Sequence, residues 1–129
     1  MSKLSDHILN TIRAYNQIAT TPAFADAAPT INAQTGTTYQ FVLTDKKVTL
    51  NNASPVTVTV PANDTVAFPI GDTQIDVIQK GAGKVTFAAA GGVTINSQAG
   101  NLSIAAQYVG VTLVKEGTNT WYLLGNLIS

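Results

Sequence analysis

The chain has one histidine, His7, no cysteine, and seven acidic residues against seven basic ones, and this inventory decides which chemistry is open to it. Nucleophilic catalysis needs a poised proton acceptor beside the nucleophile. A lone histidine near the N-terminus is a poor member of such a pair. Zinc needs three or four convergent His, Cys or carboxylate ligands, and neither the number nor the spacing is present. Asp72 and Asp76 are the nearest approach to a calcium pair, but no calcium-loop spacing follows them. Asp76 reads as the polar face of a strand and Asp72 as turn chemistry. Gly81-Ala82-Gly83-Lys84 sets glycines before a lysine, as phosphate-cradling loops do, yet Ile78 and Val85 stand where such a loop needs Gly and Ser or Thr. The segment reads instead as a hairpin turn whose glycines take positive φ. The sequence therefore predicts a non-enzymatic protein with no catalytic, cofactor or metal site.

Aromatic rings are the remaining functional candidates, since Tyr39, Tyr108, Trp121 and Tyr122 could stack on the apolar faces of sugars. Trp121 and Tyr122 are adjacent, so in a strand one points inward and the other outward. Trp121 is the natural core residue, which leaves Tyr108 and Tyr122 as interface or ligand candidates.

Charged residues make up 11% of the chain and sum to zero formal charge, so a strongly basic face for nucleic acid is not expected. A neutral surface rich in Thr, Asn, Gln and Ala does little to oppose self-association. It suits a homodimer or homotrimer. The start Met1-Ser2-Lys3-Leu4-Ser5-Asp6 lacks a signal-peptide core, and no stretch approaches the roughly 20 apolar residues of a membrane helix. A protein made in the cytoplasm, with no membrane partner, is expected.

Two regions must position these residues. In residues 1–36, Leu4, Ile8, Ile12, Tyr15 and Ala19 share one face of a predicted helix that stops before Pro22. An extended arm rich in small residues follows, carrying Phe24 and Ile31. The helix either packs on its own domain or, with the arm, reaches a neighbour. Leu4, Ile8, Ile12, Tyr15, Phe24 and Ile31 are the interaction residues on the second reading.

Residues 37–129 repeat short apolar/polar alternations separated by Gly, Pro, Asn, Asp or Ser. Val56-Thr57-Val58-Thr59-Val60 is the clearest, with three valines on one face. Strands are predicted over 39–43, 47–51, 56–60, 65–70, 74–79, 84–88, 93–96, 102–105, 108–114 and 121–124. Such spacing without helices predicts an all-β fold, a compact antiparallel sandwich resembling a jelly roll. A β-solenoid is the competing architecture. Val-Thr-apolar triplets recur at Val58, Val85, Val93 and Val111, but at unequal spacings, and no constant period supports it.

Thr35-Gly36-Thr37-Thr38-Tyr39, Leu43-Thr44-Asp45, Val48-Thr49-Leu50-Asn51-Asn52-Ala53, Val56 to Pro61 and the closing Gly117-Thr118-Asn119-Thr120-Trp121-Tyr122-Leu123-Leu124-Gly125 together resemble a small β module of tailed-phage virion proteins. Similar modules occur in fibres, spikes and head decoration proteins. The resemblance covers residues 35–127 and carries no catalytic residues. It implies a structural role in the virion, with the major capsid protein or another virion protein as partner. The short helix and arm ahead of the module suit a decoration or cement protein on the head surface. A receptor-binding fibre or spike tip that recognises host glycan is the alternative.

Overall fold

Val56-Thr57-Val58-Thr59-Val60 forms a strand whose burial follows its sequence, the three valines at 0–1% exposure and Thr57 open to solvent. A computed structural model of the protein describes residues 30–129. Its strands are β1 (Ile31–Gln34), β2 (Thr38–Gln40), β3 (Lys47–Leu50), β4 (Val56–Val60), β5 (Gln74–Gln79), β6 (Val85–Ala89), β7 (Thr94–Ser97), β8 (Ser103–Ile104), β9 (Gly110–Gly117), β10 (Thr120–Gly125) and β11 (Leu127–Ile128). One sheet has the order β1-β3-β5-β9-β10-β7 and the other β11-β8-β6-β4-β2. The described residues are thus all-β, with one short 3-10 turn at Gln98–Gly100. The predicted N-terminal helix and most of the arm lie outside them.

The expected antiparallel pairing is corrected. Neighbours β1/β3, β3/β5, β2/β4, β4/β6 and β7/β10 are parallel, and only the ladders made by β8, β9 and β11 are otherwise antiparallel. Jelly rolls are antiparallel, so the first six strands depart from that pattern too. Instead of turning back by hairpins, β1 to β6 pass alternately from one sheet to the other. Each strand therefore lies parallel to the one two places before it.

This winding has the solenoid character that the unequal spacings argued against. The register advances 29 residues from Lys47 to Asp76 and 29 from Val56 to Val85, but only 16 from Ile31 to Lys47 and 19 from Thr38 to Thr57. Unequal connections, above all residues 61–73, hide the repeat. Residues 65–70, predicted as a strand, lie in that connection without pairing in either sheet, although Phe68 is buried. Ile31 to Gln34, read as arm, is an edge strand on β3.

On one flank the corners between sheets stack directly. Gly81 N–H and Lys80 N–H donate to Leu50 O, Gly83 N–H to Asn52 O, Val56 N–H to Lys84 O, and Asn51 N–H to Gln34 O. Asn52 Nδ2 donates to Thr35 O at 2.8 Å, and Asn52 Oδ1 accepts from Ser54 N–H. Gly81-Ala82-Gly83 is therefore a corner rather than a hairpin. Its glycines serve close approach, since a Cβ on Gly83 would collide with the backbone of Ser54 and one on Gly81 with Asn52.

The core draws on the inward faces of both sheets: Val48, Leu50, Ile75, Val77, Val111, Leu113, Trp121 and Leu123 from one, Val56, Val58, Val60, Val85, Phe87 and Ile104 from the other. Phe41 stacks near Phe87 with centroids 6.4 Å apart, and Phe68 meets Trp121 edge-on at 5.5 Å. Leu43, two places from buried Phe41 in the predicted strand 39–43 and so in phase with the core, is instead 56% exposed.

Candidate functional site

Titratable groups that the fold buries are used internally. Lys115, on the inward face of β9, is 1% exposed. Its Nζ donates to Asn63 Oδ1 at 2.6 Å and Phe68 O at 2.9 Å, and lies 5.9 Å from the centre of the Trp121 ring. Asn63 N–H in turn donates to Asn119 Oδ1 at 2.8 Å. Desolvation lowers the Lys115 pKa from its ordinary value. The ammonium pins the 61–73 connection to β9 and has no carboxylate partner among its contacts. Among the described residues, Trp121 Nε1 and Ser97 Oγ are buried without a hydrogen-bond partner.

A second polar cluster closes the end of the core beside β1. The inward row Val111, Val77 and Val48 ends on Asn32. Asn32 Nδ2 donates to Asp45 Oδ1 at 2.9 Å and to the Tyr39 hydroxyl at 2.7 Å, while that hydroxyl donates to Asp45 Oδ2 at 2.6 Å. Val42 N–H also donates to Asp45 Oδ2, and Gln34 Nε2 to Asn32 Oδ1. Burial, then the Asp45 hydrogen bond and charge, raises the Tyr39 pKa far above that of a free phenol, and the Asn32 hydrogen bond opposes this. Asp45, 3% exposed, thus anchors a capping network. Among the described residues no group of three His, Cys, Asp or Glu side chains could hold a metal.

The exposed candidates lie elsewhere. As the alternation predicts, Trp121 is 1% and Tyr122 37% exposed. The Tyr122 hydroxyl donates to Glu116 Oε1 at 2.6 Å, which raises its pKa. Tyr122, Asn96, Gln98 and Leu124 border a shallow hollow of about 390 Å³. Tyr108 is 75% exposed in a left-handed conformation, φ 67°, and its N–H donates to Gln79 O. Tyr108 precedes β9 and does not share the sheet face that carries Tyr122. Ile31, 56% exposed, begins the outward row Ile31, Lys47, Asp76, Thr112, Leu124, next to the row that carries Tyr122. Leu4, Ile8, Ile12, Tyr15 and Phe24 lie outside the described residues.

Sequence reasoning missed Lys115, Asp45, Ile78 and Leu124. Ile78 was legible, because inward Ile75 and Val77 bracket outward Asp76 and set Ile78 outward as well. Lys115 was also in phase with inward Val111 and Leu113. Its charge concealed this. Among the described residues no helix is long and apolar enough to cross a membrane. Compared with family models, curated proteins and solved structures, the chain matches none.

Proposed function

We propose that this chain is a non-enzymatic structural protein of a tailed-phage virion, a decoration or cement protein that binds the head lattice. The observation that carries the reading is how the polar chemistry is spent. Lys115, Asp45 and Tyr39 are committed to internal hydrogen bonds, while the outer face of the six-stranded sheet exposes Ile31, Ile78, Tyr122 and Leu124 among mostly uncharged polar residues. A sandwich of two sheets built in this way serves as a rigid block with surface to share. Its partners are the major capsid protein or another virion protein and further copies of itself.

Immunogold labelling of purified particles tests the location, with signal expected on the head. Deleting residues 1–29 is expected to leave β1 to β11 folded, by circular dichroism, while abolishing capsid occupancy. Undiminished occupancy by the truncated protein would sink the anchoring role. One observation favours a second reading, a receptor-binding tip: the hollow beside Tyr122 is bordered by Asn96 and Gln98, residues whose amides suit sugar hydroxyls. Label confined to the tail would favour that reading.

A further inference from the structure

Register fixes the outward rows of the six-stranded sheet residue by residue. One row reads Ala33, Thr49, Ile78, Gly110, the next Ile31, Lys47, Asp76, Thr112, Leu124, and the third Gln74, Val114, Tyr122, Asn96. Across these thirteen positions the only charges are Lys47 and Asp76, directly opposite each other on neighbouring strands, while Glu116, farther along β9 on the same face, accepts the Tyr122 hydroxyl. Ile31, Leu124, Ile78 and Tyr122 are 56%, 52%, 38% and 37% exposed. Gly110 leaves a hollow of about 320 Å³ bordered by Ile78, Lys47 and Asp76. Exposed apolar side chains gathered on one sheet face, here from β1, β5 and β10, mark an interaction site.

We infer that this face is a two-fold interface between copies of the chain, with Lys47 of one copy set against Asp76 of the other. The charge pattern selects the occupant. An isologous interface must complement itself, and a single cation beside a single anion does so when the axis passes between them. Asp76 Oδ1 already accepts from Thr112 Oγ1 at 2.8 Å, which holds the carboxylate in place. The Lys47 ammonium has no hydrogen-bond or ion-pair partner among the described residues. Zero formal charge on the chain leaves no net repulsion between copies. The inference deepens the self-association part of the reading above and does not depend on the virion location.

Sedimentation equilibrium of the full chain tests it, with each variant's fold checked by thermal unfolding. The full chain is expected to dimerise. Ile78→Lys, on a surface position, should weaken the dimer at least about tenfold. Lys47→Asp and Asp76→Lys each set like charges across the axis and should also weaken it about tenfold, more at low salt. The double variant restores opposite charges and should return to within about threefold of the parent. A trimer, or a dimer indifferent to Ile78→Lys, overturns the inference. So does a monomer at all concentrations. In such a monomer, protection of the Ile78 and Leu124 strands from hydrogen exchange, lost on deleting residues 1–29, would give the face to the chain's own N-terminal segment.

Discussion

Lys115 shows how one side chain can be functional-looking and structural at once. Its ammonium is removed from water, and Asn63 Oδ1, Phe68 O and the Trp121 ring compensate in part. Because the folded pKa is lowered and the unfolded value is ordinary, the unfolded state binds more protons between the two. Stability should therefore rise with pH as the lowered value is passed, up to the ordinary lysine value. Tyr39 acts in the opposite sense at higher pH. Its raised folded pKa means stability is lost once pH climbs past the ordinary phenol value of 10.0, so the measurement belongs below that. Urea unfolding at increasing pH, kept below 10.0, is expected to show the rise in the parent and not in Lys115→Met. At pH 7 the variant should lose about 1–3 kcal/mol, because a buried acceptor, Phe68 O, and a half-buried one, Asn63 Oδ1, are stranded.

At the scale of elements, alternation located most strands well and their partners poorly. The limits of β4 and β5 agree with the alternation in the sequence, because valine and isoleucine at every second position leave one phase only. Parallel pairing was not legible, since alternation says which face a residue takes and nothing about which strand lies beside it. Gly81 and Gly83 looked like turn residues, whereas the corner from Asn51 to Pro55 lies against them. Gly83→Ala is expected to cost about 3 kcal/mol or more in urea unfolding, as an overpacked contact with backbone that has no side chain to move. Gly91→Ala, with no atom within 4 Å and no positive φ, is the control and should stay within about 0.5 kcal/mol. Equal losses at the two positions would refute the stacked corner. The candidate site was legible in part: Tyr122 follows from alternation, but a face shared by β1, β3, β5, β9, β10 and β7 requires strand order.

At the scale of the whole molecule, the two flanks of the coil obey different rules. The stacked flank, residues 35–37, 51–55 and 80–84, is bonded corner to corner. On the opposite flank, residues 41–46, 61–73 and 90–93 differ widely in length between otherwise aligned strands. Length is thus free to drift on one side of the body and locked on the other. A flexible octapeptide inserted between Gly91 and Gly92 is expected to leave the thermal transition nearly unchanged, while the same insert after Ala82 should abolish cooperative unfolding. Matching transitions for the two inserts would contradict the asymmetry. The consequence is a division of labour: new sequence can be displayed from one edge without renegotiating the architecture, while the other edge admits none.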